Sequence, residues 1–278
     1  MRNASAISSS ANSDSGRHDV WRFGEIGREI ALPIASVAVI VLVWEAAVRF
    51  FHVPVSILPA PSEIWNDTIV MGPVVLRHTL ATLRTVLLGF SLSVLISLPL
   101  AIAITASAAM ERTLYPALVL MQSVPKVAIA PILIIALGAN ELPRVVVTFL
   151  ISFFPLVVAA ATGLQSVPPE FIELGRSLRA PRWKLIFRIS LPYAVPFVFG
   201  GLKVAIALSV VGAVVGEFVA ANQGLGYLIA TSMAFFKTPV AWGAMIILAI
   251  MGIILFQAVV LAERVFFPWS TSSPQLMG

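Results

Sequence analysis

The chain has 278 residues, of which 59% are hydrophobic and only 11% charged, and its mean hydropathy is +0.98. Soluble domains carry about 25% charged residues, so this composition excludes a water-soluble fold. The chain has no cysteine and only three scattered histidines, His18, His52 and His78. These counts exclude disulfides and thiol catalysis, and they predict that the chain holds no metal site.

Six apolar runs divide the sequence. Each is long enough for a membrane-spanning helix, which needs about 20 residues. The sequence therefore predicts an all-α, polytopic membrane protein with about six transmembrane helices. The runs cover residues 30–50, 79–106, 114–139, 143–164, 193–220 and 240–262.

The segments outside these runs are polar. Residues 1–29 are rich in Ser and Asn and indicate an N-terminal cytoplasmic tail with an interfacial segment. A cleaved signal peptide fits poorly, because the first apolar run is long and starts late. The predicted membrane domain covers 30–265 and contains a long polar loop at 165–192. Residues 266–278 are predicted to form a C-terminal cytoplasmic tail.

Lys and Arg residues fall unevenly on the two sides of the predicted membrane. If the N-terminus is cytoplasmic, eleven lie in cytoplasmic segments and four in outer loops. This bias follows the positive-inside rule, so we expect a multi-pass protein of the cell membrane with both termini in the cytoplasm. The net charge of +5 then reflects orientation and not nucleic-acid binding. In the outer loop 51–78, Pro61 and Glu63 favour the start of a short helix.

The loop at 165–192 has the pattern of two short helices joined by a turn. A Pro-Pro pair suits the first helix start, after which Phe171, Leu174 and Leu178 recur on one helical face. Pro181 opens the second helix, and the loop carries five basic residues. An apolar stripe in a cytoplasmic loop needs a covering surface, which is either a protein partner or anionic lipid.

The same loop resembles the signature of the permease subunits of ABC importers, in which Glu-Ala-Ala is followed after three residues by Gly and after nine more by Ile-x-Leu-Pro. The spacing matches, whereas Leu174 and Gly175 replace the two alanines and Arg179 occupies the glycine position. Because glycine at a turn permits a positive φ, Arg179 implies strain or a different turn. The resemblance implies that this loop docks a cytoplasmic ATPase through Glu170, Phe171, Glu173, Leu174, Gly175, Leu178, Arg179, Arg182, Ile189, Leu191 and Pro192.

Residues 79–90 are similar to the opening of the core of this family, and residues 123–131, 153–155 and 216–229 resemble its nitrate/sulfonate/taurine-type group. Within that group, residues near 202–218 are most similar to members for thiamine-pyrimidine precursors or riboflavin. The resemblance implies a type I importer fold, a homodimer of permeases, two ATPase subunits and an external solute-binding protein. The chain has no Gly-rich phosphate-binding motif and no cofactor of its own, so ATP is expected on the partner subunit.

Charged residues inside the predicted spans are candidates for the translocation pathway. Lys126 lies near the middle of the third span, where a charge usually faces a cavity or a partner. Lys203 and Glu217 both lie in the fifth span, about 21 Å apart along the helix axis, and either line the pathway or extend to opposite interfaces. After this span, Gly224-x-Gly226 marks either a short outer helix or a simple turn.

Two other functions compete with the importer. A stand-alone ion-coupled transporter would use Lys126 and Glu217 as ion-linked groups, but the sequence shows no inverted repeat. An intramembrane enzyme would need a constellation of catalytic side chains, and none is visible, so we predict no catalytic residue.

Overall fold

The computed structural model describes residues 35–138 and 140–270 together with Leu32. All regular secondary structure within these residues is helical. The chain divides into two compact units, Met1–Ile64 and Trp65–Gly278. The predicted tail 1–29 and the last eight residues of the predicted C-terminal tail lie outside the described residues.

In the first unit, residues 35–50 form helix α1, which is the described part of the first predicted span. The Glu45 carboxylate near its end accepts hydrogen bonds from the backbone N–H and the hydroxyl of Ser62, at 3.0 and 2.9 Å. Ser62 belongs to helix α2, Pro61–Val70, which has Glu63 in its first turn. The short helix predicted in this loop is therefore confirmed.

Four long apolar helices of the second unit confirm the second, fourth, fifth and sixth predicted spans. Each contains an 18-residue window with a mean hydropathy of 2.2 or more, and is long enough to cross a membrane. They are α3 (Gly72–Ala106), α6 (Glu141–Gln165), α9 (Leu191–Ala220) and α11 (Thr238–Phe266). Shorter helices lie between them: α4 (Ala108–Gln122), α5 (Ala130–Leu137), α7 (Pro169–Ser177), α8 (Arg182–Leu185) and α10 (Leu225–Ala234).

The third predicted span, 114–139, is not one continuous helix, and that prediction was wrong. Helix α4 ends at Gln122, and the chain resumes as a 3-10 turn at Lys126 that leads into α5. The two halves are bent by 83°. Pro125 explains the break, because it lacks an N–H for the helix and disfavours helical angles at the residue before it.

Helix α6 packs between α3 and α9 through small and hydroxylated residues. A Cβ atom on Gly212 of α9 would lie 2.8 Å from the Thr148 Cα atom, and Gly89 of α3 leaves as little room for the Thr148 side chain. The hydroxyls of Ser93 and Ser152 lie 2.6 Å apart between α3 and α6. Close approach through small residues and interhelical hydrogen bonds is typical of helices that pack in lipid.

Candidate functional site: the 165–192 loop and the intramembrane charges

Helix α7 is the first of the two helices predicted in the 165–192 loop. It begins at Pro169, and Glu170 in its first turn lies near the positive end of the helix dipole. Phe171, Leu174 and Leu178 are 52%, 59% and 74% exposed. The helix and its apolar stripe are thus present, and the binding of a partner to the stripe stays a prediction.

Charged side chains accompany the stripe. Glu170 and Glu173 are exposed on α7. In the part of the chain that the structure describes, the ion pairs join Glu45 to Arg49, Arg84 to Glu141 and Lys203 to Glu263, all outside this loop. The loop therefore presents apolar and basic groups together, and the Lys184 Nζ atom lies 5.5 Å from the centre of the neighbouring Trp183 ring. The exposed basic residues are Arg176, Arg179, Arg182, Lys184 and Arg188.

The turn after α7 has the hydrogen bonds of a Schellman motif. The Ala180 N–H donates to the Gly175 carbonyl at 3.1 Å, and the Arg179 N–H donates to the Arg176 carbonyl at 2.9 Å. Arg179 has φ +54°, a left-handed conformation that glycine adopts most easily. The turn thus keeps a glycine-type geometry although an arginine occupies it, at a strain of about 1 kcal/mol.

Gly175 brings α7 into direct contact with the next helix. A Cβ atom at Gly175 would overlap the Leu185 side chain and would lie 3.4 Å from the Ile189 Cδ1 atom. Gly175 and Leu185 are both buried. The residues predicted to dock a partner therefore serve two purposes: the stripe faces outward, whereas Gly175 and Ile189 hold α7 against the following helix.

The second helix of the loop continues directly into the membrane. Helix α8 passes through a π turn, Ile186–Ser190, into α9, and the stretch Arg182–Val219 forms one apolar rod of 38 residues. Pro192 does not end the helix. Its ring would clash with the carbonyl four residues earlier in a regular α-helix, and the π turn, closed by the Leu191 N–H on the Ile186 carbonyl, widens the helix at this point.

Lys126 lies at the break of the third span, at the start of the 3-10 turn and not within an α-helix. Its Nζ atom donates to the Gln122 carbonyl at 3.1 Å and lies 5.0 Å from the centre of the Phe154 ring. Because Phe154 is near the middle of α6, Lys126 sits at half the depth of that helix. The structure thus places the Lys126 charge, the break of the third span and the Phe154 ring side by side. The sequence did not predict that Phe154 lies at this break.

Lys203 pairs with an acidic residue that the sequence analysis did not single out. Its Nζ atom lies 2.5 Å from Glu263 Oε2, and the Ser270 hydroxyl donates to Glu263 Oε1 at 2.7 Å. Glu263 is 5% exposed. The opposite charges in the last two spans indicated that such an ion pair was possible. The sequence alone does not show which residues of α9 and α11 lie side by side, so the pair could not be predicted.

Glu217 is buried near the end of α9, with 1% exposure, and a place for it on the translocation pathway stays a prediction. Its carboxylate accepts hydrogen bonds from the Thr82 hydroxyl at 2.8 Å and from the Gly226 N–H at 2.8 Å. Thr82 belongs to α3, and Gly226 belongs to α10, whose presence confirms the short helix predicted at Gly224-x-Gly226. Glu217 therefore joins three helices.

The first turn of α10 is bound by side chains from other helices. Its N–H groups at Gly224 and Leu225 donate to His78 Nδ1 at 3.0 Å and to Thr82 Oγ1 at 2.7 Å. The Gly226 N–H donates to Glu217. Free N–H groups at a helix start are normally capped locally, and here His78 and Thr82 of α3 and Glu217 of α9 satisfy three of them in succession.

Arg84 of α3 lies inside the second predicted span and pairs with an acidic residue of α6. Its Nε atom lies 3.2 Å from Glu141 Oε1 at the start of α6. The Arg84 side chain is 70% exposed. The pair therefore marks the end of the α3–α6 contact where α6 begins.

These features are those of a multi-pass helical membrane protein. Its rod Arg182–Val219 joins a membrane span to an apolar and basic surface loop. Residues 93–270 match the family of binding-protein-dependent transport system inner membrane components, and the chain belongs to this family. It is thus a permease subunit of an ABC importer, and not a stand-alone ion-coupled transporter.

Curated relatives agree with this assignment. The chain is 33% identical to the formylaminopyrimidine transport permease protein ThiX of Halalkalibacterium halodurans, over 85% of this chain and 95% of that protein. It is 35% identical to the riboflavin transport system permease protein RibX of Chloroflexus aurantiacus, over 87% and 91%. The taurine transport system permease protein TauC of Escherichia coli is 27% identical, over 90% and 93%.

A solved structure supports the fold. The MetNI methionine ABC transporter, determined in inward-facing conformations, contains a chain that matches with a TM-score of 0.61 at 18% identity. The match covers 70% of this chain and 97% of that chain. This likeness confirms the predicted type I importer-like fold.

Proposed function

We propose that α7 and the start of α8 form the surface on which a cytoplasmic ATPase subunit docks. The exposed stripe of Phe171, Leu174 and Leu178 carries this proposal, because a large apolar patch beside exposed charges is typical of an interface. In this arrangement ATP binds to the partner subunit, and this chain contributes no catalytic residue. Both termini and the loop lie in the cytoplasm, as the distribution of Lys and Arg favours.

The contact between Gly175 and Leu185 supplies the route by which docking acts on the membrane domain. A displacement of α7 presses on Leu185, and Leu185 belongs to the rod Arg182–Val219, which is about 57 Å long at 1.5 Å per residue. Closely packed helices move as units because their interfaces do not deform continuously. ATPase closure therefore shifts the rod and, in a homodimer, changes the access to a central pathway.

The break at Lys126 is the best candidate for the solute pathway. Non-helical backbone at membrane depth is tolerated only inside protein or beside a water-filled cavity, and transporters commonly place solute sites at broken helices. Val124 and Val127 beside the break are 47% and 54% exposed in the single chain. A second copy of the chain would cover this region, and the Lys126 ammonium would donate hydrogen bonds to carbonyl or anionic groups of the solute.

The solute that we propose is a pyrimidine precursor of the formylaminopyrimidine class or a flavin, delivered by an external binding protein. The relatives named for these compounds are 33% and 35% identical to this chain, whereas the taurine relative is 27% identical.

Reconstitution of the complete complex tests the proposal. The permease, its ATPase and its binding protein are placed in proteoliposomes, and ATP-dependent uptake of formylaminopyrimidine, riboflavin and taurine is measured in parallel. The proposal expects uptake of one of the first two compounds and stimulation of ATP hydrolysis by the loaded binding protein. Uptake of taurine alone would contradict the solute class but not the coupling, whereas hydrolysis unaffected by the loaded binding protein would contradict the coupling.

A further inference from the structure

We infer that Glu217 and Thr82 are positioning residues that make α9 and α10 move as one body, so that motion at the 165–192 loop reaches the opposite end of the membrane domain. This inference rests on the proposed coupling of α7 to α9. It assigns a role to a buried carboxylate and to a glycine pair that the transport function alone does not explain.

The first argument is the geometry of the joint. Thr82 is fully buried and both accepts from the Leu225 N–H and donates to Glu217. The Glu217 carboxylate in turn accepts from the Gly226 N–H. The first turn of α10 is therefore bonded to a side chain of α9 both directly and through Thr82. These hydrogen bonds lie in a buried site, where leaving a donor or an acceptor unpaired is costly.

The second argument is that the backbone is built for this contact. A Cβ atom at Gly226 would lie 2.9 Å from the Val214 carbonyl oxygen, which is backbone and cannot rotate away. Gly224 has φ +120°, and a Cβ atom there would overlap the Glu217 carboxyl group. The two glycines therefore let the first turn of α10 and the residue before it lie directly on α9, which a simple turn would not require.

The third argument is position along the rod. Glu217 is two residues from the end of the continuous stretch Arg182–Val219, whose first residues belong to the 165–192 loop. The rod thus connects the proposed ATPase surface at one end to α10 at the other. A displacement of the rod carries α10 with it as long as the joint at Glu217 holds, which gives the ATPase a mechanical link to the outer face of the membrane domain.

The chain offers a matched control for the joint. Thr82 and Thr85 lie on the same helix, α3, and both are fully buried. The Thr85 hydroxyl bonds to the Ala81 carbonyl of its own helix at 3.2 Å. Thr82→Val removes the hydrogen bonds that Thr82 makes to Leu225 and Glu217 with almost no change in side-chain volume, and leaves the direct bond between Gly226 and Glu217 in place. Thr85→Val makes the same chemical change beside it. Glu217→Ala provides a second, larger disruption.

Because the chain has no cysteine, spin labels within this chain attach only at the cysteines that are introduced. Val211 on α9 and Met233 on α10 are each about half exposed and suit replacement by cysteine. The distance between the two labels is measured in the full reconstituted complex without nucleotide and with ATP and vanadate. We expect the same distance in both states for the parent double-cysteine chain and for Thr85→Val, and a shifted or broadened distance for Thr82→Val.

Uptake supplies the second readout. Thr82→Val should transport about tenfold more slowly than Thr85→Val at equal amounts of assembled complex, in the range of typical coupling energies. A residue that only stabilises the fold would lower the amount of complex and leave both the label distance and the rate per complex unchanged. If Glu217→Ala does not assemble, Thr82→Val still decides the question.

Two results would overturn the inference. One is a label distance that changes with nucleotide in the parent chain, and the other is a Thr82→Val complex that transports as fast as Thr85→Val. Failure of the proposed function is recognised separately, because a parent complex without ATP-dependent uptake would contradict that proposal before any variant is compared.

Discussion

Leu185 packs on the backbone of Gly175 so closely that no side chain larger than hydrogen fits at Gly175 without displacing it. This contact joins α7, which presents the exposed apolar stripe, to the rod that enters the membrane. It also accounts for one departure from the importer signature, because glycine replaces the second alanine of Glu-Ala-Ala at the point where the helices touch. Transmission of a movement from α7 to the membrane rod depends on this contact.

The first prediction concerns the acidic start of the coupling surface. Glu173 is exposed on α7, so Glu173→Lys should leave insertion and folding intact. Reversal of its charge should weaken docking of the ATPase and uncouple hydrolysis from transport. The check is solute-stimulated ATPase activity in the reconstituted mutant complex, and stimulation equal to the parent complex would refute a role for Glu173.

The second prediction separates strain from contact at Arg179. Because Arg179 has φ +54°, Arg179→Gly should raise the free energy of unfolding by about 1 kcal/mol, whereas Arg179→Ala should keep the strain. If the guanidinium also contacts the ATPase, both variants should bind that subunit more weakly. Thermal unfolding of the isolated permease measures the strain, and ATPase titration measures the contact. Two variants that match the parent in both experiments would make Arg179 a neutral substitution.

The third prediction concerns the pathway at Lys126. Lys126→Met keeps an apolar stem and removes the charge, so the chain should fold and assemble normally while solute uptake falls about tenfold. Lys126→Arg should retain part of the activity, because arginine keeps the charge and the hydrogen-bond donors. Uptake rates and melting temperatures of the two variants are compared. Unchanged uptake together with higher thermal stability in Lys126→Met would show that the Lys126 charge destabilises the fold and has no role in transport.

The fourth prediction concerns the ion pair between α9 and α11. Lys203→Met leaves Glu263 buried without its cation, and loss of one partner of a buried pair costs about 3 kcal/mol. The double variant with Glu263→Leu should recover most of that stability, since no unpaired charge remains. Thermal unfolding of the parent, the two single variants and the double variant in detergent gives the four stabilities of a double-mutant cycle. Additive losses, without recovery in the double variant, would contradict the pairing.

The sequence predicted the structural features that are set by residues close to one another along the chain. Apolar length alone located α6 and α11, and the spacing of the importer signature located the strained turn at Arg179. Hydropathy did not predict the break before Lys126, because it measures how apolar a segment is and not the direction of the helix axis. Pro125 was the sequence signal that indicated a break. The partners of Glu217 could not be predicted, because Thr82 lies 135 positions away along the chain and the register between α3 and α9 is set by packing.

Cross-linking between α7 and the ATPase tests the central claim most directly. In this cysteine-free chain, Leu174→Cys introduces one thiol in the apolar stripe, and Phe236→Cys introduces one at an 80% exposed site on the proposed outer side. A short thiol-reactive cross-linker is applied to the assembled complex, and the products are separated by mass. The account predicts that Leu174→Cys forms a covalent adduct with the ATPase subunit and that Phe236→Cys does not. An adduct with the ATPase at Phe236→Cys, and none at Leu174→Cys, would contradict it.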